Sequence, residues 1–304
     1  MKKIVSFISV LAIIIVLALC AAGCNGDDSN LFEVKDKNFA VYDESTVVEG
    51  MSAYDLVMEA YDNFVEDTNF VREEYFTFAA GKGGSLASRK TSLLRKMQGD
   101  EIYSQEIIYG TGLDKGTCAT RYYFDGANAY EINNTSKKNV SFDNKSGVFG
   151  VKDWGEFTKF SGDVEEQNWL MKEKITTYDI SSKDYMSKTK HTDKVYKVGD
   201  TYYCFLAIDC SYEMMTSVQR EALDEFLDTL SASEDGFTME DTTIDFAIEE
   251  IDGKMKFKTW RRNEKYTGKH STGMKVSCEQ TCLSYYKYGK GYEITAADKL
   301  NLAK

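Results

Sequence analysis

The stretch TTIDFAIEEIDGKMKFKTW, residues 242–260, contains the clearest hairpin signal in the chain. Apolar residues occupy alternate positions on both sides of its centre: Ile244, Phe246, Ile248, Met255 and Phe257. Such a period of two is typical of a strand with one buried face. Asp252-Gly253 between the two runs is a favoured two-residue turn. The stretch therefore predicts an antiparallel hairpin.

The same pattern of β-branched and aromatic residues, parted by Gly, Asn and Asp, recurs along the chain and predicts consecutive antiparallel strands. The segments are FVREEYFTFA (70–79), GDEIYSQEIIYG (99–110), TCATRYYFDG (117–126), NAYEIN (128–133), KVYKVGDTYYCFLAID (194–209), TGMKVSCEQTCLSYYKYG (272–289) and GYEI (291–294). The chain has no Pro. Turns are therefore expected at Gly, Asn and Asp, notably Asp125-Gly126 and Gly199-Asp200.

Two amphipathic helices are predicted beside these strands. The first begins at Ser52, has Asp55 in the capping-box position, and carries an apolar stripe over residues 53–66. The second begins at Thr216 and carries a stripe on one side up to residue 230. The sequence thus predicts an α+β fold, in which a curved, half-barrel-like antiparallel sheet packs against two main amphipathic helices.

The first 24 residues have the layout of an export signal, with Lys2 and Lys3 followed by an apolar run. The run ends in Ala21-Ala22-Gly23 before Cys24, and this resembles a bacterial lipoprotein signal. The resemblance implies cleavage after Gly23 and acylation of Cys24, with palmitate as a typical chain. A plain transmembrane anchor is the alternative, because about 20 apolar residues can cross a bilayer. Both interpretations place the remaining chain on the extracytoplasmic face of the cell membrane.

The predicted organisation is a signal peptide at 1–23, a tether at 24–48 and one α+β domain at 49–298, with an irregular insertion at 134–194. An echo between residues 117–132 and 281–294, each with Thr-Cys, Tyr-Tyr and Tyr-Glu-Ile, raises the alternative of two similar halves.

Cleavage would leave 281 of the 304 residues, remove two lysines and no acid, and take the net charge from −12 to −14. Such a chain repels nucleic acid, which is therefore not expected as a partner.

Catalytic and metal-binding patterns are missing from the sequence. The two histidines, His191 and His270, lie in polar stretches without a second ligand at metal spacing. We predict no enzyme activity, catalytic residue, metal or cofactor. Besides Cys24 the mature chain has five cysteines, for which thiols and one disulfide are both open: Cys118, Cys204, Cys210, Cys278 and Cys282.

The order of elements, with the hairpin DGKMKFKTW after the second helix, resembles lipoprotein carriers and lipid-binding lipoproteins of the LolA and LprG type. In that family a curved sheet wraps around helices, and the hollow between them often holds acyl chains. The resemblance implies that inward residues of the two helices line such a cavity: Leu56, Ala60, Phe64, Leu223, Phe226 and Leu230. The alternative is that the same residues make ordinary core contacts.

The sequence therefore predicts a membrane-anchored, non-enzymatic binding protein for an acyl chain or another apolar ligand. The alternative is a cell-surface interaction or structural lipoprotein that binds an envelope protein or glycan.

Overall fold

The computed structural model describes residues 47–81, 86–112, 116–134, 137–173, 194–208, 238–239, 242–269 and 275–299. These residues form mainly strands, which are joined in a 12-stranded and a 2-stranded sheet. The described helices are α1, Ala53–Glu66, and α2, Val164–Glu173. The predicted α+β class with two main amphipathic helices is wrong, because extended sheet and not helix makes up most of the described fold. The second predicted helix, 216–230, lies outside the described residues.

The strands fall into two runs along the chain. The first run is β1 (Asn69–Ala80), β2 (Ala87–Gln98), β3 (Glu101–Gly112), β4 (Cys118–Phe124), β5 (Ala129–Asn134), β6 (Val140–Asp143), β7 (Val148–Val151) and β8 (Thr158–Lys159). The second run is β9 (Val195–Val198), β10 (Thr201–Ile208), β11 (Thr238–Met239), β12 (Thr242–Ile251), β13 (Lys254–Lys269) and β14 (Lys275–Tyr288).

In the large sheet, the first strand of the first run pairs with the last strand of the second run. Its order is β8-β5-β4-β3-β2-β1-β14-β13-β12-β10-β9, with β11 paired to β13. β1 and β14 pair antiparallel in the middle of the sheet, from Phe70 opposite Tyr288 to Ala80 opposite Cys278. Strands that lie near opposite ends of the described chain therefore pair at the centre of the sheet.

The predicted hairpin turns are confirmed. Asp252 and Gly253 connect β12 to β13 and have φ values of 54° and 76°. Two successive positive φ angles match the type I′ turn, which follows the twist of the flanking strands. Asp125 closes the β4–β5 turn, because its carboxylate accepts the N–H groups of Ala127 at 2.9 Å and Asn128 at 2.7 Å.

The first predicted helix is also confirmed. The Ser52 hydroxyl accepts the Asp55 N–H at 3.3 Å, which satisfies one of the N–H groups that helix formation leaves open. The apolar stripe of α1 packs on β10, β12 and β13. We call the face of the large sheet that contacts α1 the helix-side face, and the opposite one the outer face.

The region predicted as an irregular insertion contains β6, β7, β8 and α2. It contacts both faces of the large sheet, because Tyr122 on the helix-side face donates its hydroxyl to Asn168 of α2 at 2.8 Å. On the outer face, Val140 packs against Ile107 of β3. Phe157 and the C-terminal Ile294 pack against Tyr103 and Tyr123 on the same face. The segment GYEI, 291–294, is not a strand as predicted. Ile294 anchors this segment instead, with 8% of its surface exposed.

Candidate binding site on the helix-side face

The predicted cavity-lining residues that the structure describes lie in a densely packed core. Leu56, Ala60 and Phe64 are buried against the sheet. We call this cluster the α1 core, and it comprises Ala53, Leu56, Val57, Ala60, Phe64, Phe70, Val195, Cys204, Leu206, Ile244, Phe246, Ile248, Phe257, Trp260, Cys282 and Tyr286. The remaining predicted site residues lie outside the described part of the chain: Gly23, Cys24, Leu223, Phe226 and Leu230. A role in lining a ligand cavity stays a prediction for all six lining residues.

Aromatic packing explains why α1 fits its position. The ring centroid of Phe64 lies 4.9 Å from that of Phe70 and 5.3 Å from that of Tyr286. Such tilted and edge-on pairs are favourable beyond the area they bury. The side of α1 that faces the sheet is therefore occupied by protein.

Next to the α1 core, the helix-side face of β1, β2 and β3 carries charged residues. We call Arg72, Glu74, Arg95 and Glu106 the Arg–Glu cluster. Arg72 lies directly opposite Arg95 in the β1–β2 register. Glu74 follows two residues later on β1, and Glu106 on β3 lies opposite Leu93 of β2. Because side chains two residues apart share a sheet face, all four project from the same side.

Arg72 connects this cluster to the α1 core. Its guanidinium donates to the Glu74 carboxylate, and the guanidinium carbon lies 5.8 Å from the ring centroids of both Trp260 and Tyr286. Trp260 donates its indole N–H to the Tyr286 hydroxyl at 2.7 Å. A cation above aromatic faces is stabilised by the ring quadrupoles, so Arg72 is held by both a carboxylate and two rings.

Glu74 is held in its ionised form. Burial works to raise the pKa of its carboxyl, but Arg72 and Arg95 outweigh burial, and the net pKa is lowered. The Ser284 hydroxyl donates a further hydrogen bond to Glu74 at 2.8 Å. Arg72 and Glu74 thus form a fixed ion pair on the floor of the cluster.

The charges of Arg95 and Glu106 are less well compensated than those of Arg72 and Glu74. Burial, and then the charge of Arg72, lower the pKa of the Arg95 guanidinium to about 10. Burial raises the pKa of the Glu106 carboxyl, although Arg95 works in the opposite direction. Both side chains are nevertheless only partly buried. Both side chains are thus desolvated by surrounding protein and still keep some accessible surface, and we call this part of the helix-side face of β1–β3 the wall.

The residues beside this wall are apolar. Phe76 of β1 and Ile108 of β3 lie one strand position further along the helix-side face, on either side of Thr91 of β2, and both are partly buried. Leu93, between Glu74 and Glu106, is 7% exposed. Charged and apolar side chains therefore lie in adjacent cross-strand rows on this wall.

Further charges continue along the same face of β2 and β13. Arg89, Arg262 and Glu264 are buried there, and Nε of Arg262 lies 3.4 Å from Oε1 of Glu264. The buried charges thus form an extended polar surface and not a single ion pair.

The cysteines that the structure describes are thiols, and most of them are buried. Cys118, Cys204, Cys278 and Cys282 are present as thiols, and Cys210 lies outside the described residues. Burial raises the pKa of the Cys204 thiol to about 12 and also raises that of Cys282. A thiol with a raised pKa has little thiolate at neutral pH and is unreactive. Within the described ranges, no three His, Cys, Asp or Glu residues are grouped as a metal site, and no helix has the length and hydropathy to span a membrane.

The sequence prediction missed β2, and with it Arg95 of the Arg–Glu cluster. β2 reads ASRKTSLLRKMQ, and its charges suggest a solvated segment. The available signal was the spacing of Arg89, Thr91, Leu93 and Arg95, which places all four on one face of a strand.

Comparison with known proteins does not show the family of the chain. No family model matches, and no curated protein matches. Among solved structures, a DUF1329 family protein from Desulfovibrio piger is 11% identical with a TM-score of 0.26, over 81% of this chain and 94% of that one. A lipovitellin structure, described by its lipid–protein interactions, is 9% identical with a TM-score of 0.28, over 76% of this chain and 26% of that one. At TM-scores this low, fold and function have to be argued from the chain's own residues.

Proposed function

We propose that the protein is a lipid-anchored extracytoplasmic lipoprotein that binds an amphiphile, a molecule with an apolar chain and a polar head, without enzymatic activity. One observation carries the binding function. The helix-side face of β1–β3 forms a wall in which partly buried apolar side chains and charged side chains lie next to one another.

The partial burial distinguishes this wall from the α1 core. Core residues such as Phe64 and Trp260 are each 1% exposed, because α1 and the sheet fill the space between them. Phe76, Ile108 and Arg95 keep accessible surface although protein surrounds them. A wall of this kind offers an acyl chain apolar contact, with about 0.8 kcal/mol per methylene removed from water. The likeness of the sequence to LolA and LprG points to the same class of ligand.

The ligand is tested by native mass spectrometry of protein purified under mild conditions. We expect a co-purified lipid, and we expect its occupancy to fall several-fold in Ile108→Asp, because a carboxylate on this wall opposes an apolar chain. Thr111→Asp is the matched control. It adds the same charge to the same strand at an exposed position on the outer face, and it should leave occupancy unchanged. Equal occupancy in both variants, or no adduct in the unaltered protein, would contradict the binding function.

The membrane anchor is tested separately through Cys24. Two acyl chains on this residue would give lasting attachment, whereas a single chain gives only reversible binding. We expect Cys24→Ala to lose incorporation of labelled palmitate and to leave the chain unprocessed or released. A labelled band of unchanged intensity would contradict the assignment.

A further inference from the structure

We propose that the ligand of this wall carries an anionic group, a phosphate or a carboxylate, and that Arg95 contacts it while Arg72 supports it from the adjacent strand. This inference rests on the proposed function and adds the chemical class of the head group.

The first reason is the register of the two arginines. Arg72 and Arg95 are direct cross-strand partners. Like charges in that position repel, and a sheet selected for stability alone would place opposite charges there. Arg72 has a defined structural role, because it bonds Glu74 and lies against Trp260 and Tyr286. Arg95 adds a second positive charge directly beside Arg72, whose position these contacts already fix.

The second reason is the accessibility of Arg95. Arg72 is 3% exposed, whereas the Arg95 side chain is only partly buried. A guanidinium presents planar, paired N–H donors that match the two oxygens of a carboxylate or phosphate. Arg95 is therefore the more accessible member of the pair.

The third reason is the contrast in charge between this face and the whole chain. The described helix-side residues of β1, β2, β3, β13 and β14 include four arginines and three glutamates: Arg72, Arg89, Arg95, Arg262, Glu74, Glu106 and Glu264. The complete chain has 49 acidic residues against 37 lysines and arginines. These helix-side residues thus carry one more positive than negative charge in an acidic protein, and this favours an anion beside them over an anion elsewhere.

The pKa directions agree with this geometry. The lowered pKa of Arg95 means that its charged form is held at a cost, which a nearby anion would reduce. The raised pKa of Glu106 means that burial disfavours its negative charge, which lies on the strand next to Arg95.

The test compares three probes by isothermal titration calorimetry, with the purified mature protein and amphiphiles below their micelle concentrations. Dodecyl phosphate has the chain and the anion, dodecyl maltoside has the chain alone, and inorganic phosphate has the anion alone. We expect dodecyl phosphate to bind at least tenfold more tightly than either of the other two. Arg95→Gln should remove most of that advantage, since a hydrogen bond to a charged group contributes about tenfold or more in affinity.

Glu106→Gln is the second variant, and it should act in the opposite direction. It removes a negative charge beside the bound anion and should therefore tighten dodecyl phosphate binding, with dodecyl maltoside unaffected. Lys287→Gln is the control, because it removes one positive charge from the outer face, where Lys287 pairs with Glu73 at 2.6 Å. It should leave all three affinities unchanged. Glu106→Gln keeps the test decisive if Arg95→Gln does not fold.

The outcomes separate the two proposals. Equal binding of both amphiphiles, with no effect of Arg95→Gln or Glu106→Gln, would overturn the anionic head group and leave the amphiphile function standing. Inorganic phosphate that binds as tightly as dodecyl phosphate would support the anion site and overturn the need for a chain. Absence of binding by all three probes would overturn both proposals.

Discussion

The α1 core and the Arg–Glu cluster lie side by side on one face of the same sheet, yet they contain opposite kinds of residue. At corresponding inward positions the core has Phe246 and Trp260, while the cluster has Arg72 and Arg95. Both groups lie at strand positions that point away from the outer face. The comparison shows that the direction of a side chain on a strand does not determine whether its surroundings are apolar.

What differs between the two regions is the layer above them. Over the core, α1 supplies apolar side chains that complete the packing, and burial of each large one contributes about 1.5 to 3 kcal/mol. In the cluster, charges are stabilised by one another and by neighbouring rings, and part of their surface stays accessible. The core is therefore closed by protein, whereas the cluster keeps accessible charged surface.

The largest expected effect comes from breaking the α1 core. Phe64→Ala removes a ring that is 1% exposed and contacts Phe70 and Tyr286, and it should lower the free energy of unfolding by about 3 to 5 kcal/mol. Asp62→Ala, at an exposed position of the same helix, should change it by less than about 0.5 kcal/mol. Urea denaturation measures both. A loss below about 1 kcal/mol for Phe64→Ala would indicate that Phe64 lines a space and not a packed core.

A smaller loss is expected from breaking the ion pair of the cluster. Arg72→Met leaves Glu74 without its main counter-charge, and the free energy of unfolding should fall by roughly 2 to 3 kcal/mol, since the Glu74 side chain keeps 18% of its surface exposed. The double variant Arg72→Met, Glu74→Leu should recover part of this loss, because no isolated buried charge remains. Urea denaturation of the two single variants and the double variant gives the coupling energy. Additive losses would show that the two side chains do not act as a pair.

The same comparison explains which parts of the fold the sequence can predict. α1 and the hairpin turns depend on signals within a few residues, such as Ser52 before the apolar stripe and Asp252-Gly253 between alternating strands. The pairing of β1 with β14 depends on residues far apart, and no local pattern indicates it. The α+β class was wrong because strands make up most of the described fold, and one of them, the charged β2, lacks the apolar alternation by which strands are recognised.

The candidate site was difficult to predict for a physical reason as well. A sequence pattern assigns charged residues to solvent, because an isolated buried charge is strongly unfavourable. Arg72 and Glu74 are buried because each compensates the other and Trp260 and Tyr286 support Arg72. That compensation appears only after strands distant in sequence come together. Of the six residues predicted for the site, the three on α1, Leu56, Ala60 and Phe64, pack in the core, and the other three lie outside the described residues.

The smallest expected effect is a change in how the free energy of unfolding depends on pH. Burial raises the pKa of Glu106 above its value in the unfolded chain, so its stabilising contribution is complete below the unfolded pKa and is lost as pH rises through the folded pKa. Gln is neutral at every pH, so the free energy of unfolding of Glu106→Gln should equal that of the unaltered protein at acid pH. It should become more stable toward neutral pH, by less than about 1 kcal/mol because Glu106 keeps some water contact. Glu74 has a lowered pKa and loses its contribution as pH falls, but it is present in both proteins and largely cancels in the difference.

Urea denaturation between pH 4 and pH 8 measures this difference in stability, with Glu156→Gln as the exposed control that should show none. A variant less stable than the unaltered protein at neutral pH would mean that ionised Glu106 stabilises the fold, as Glu74 does.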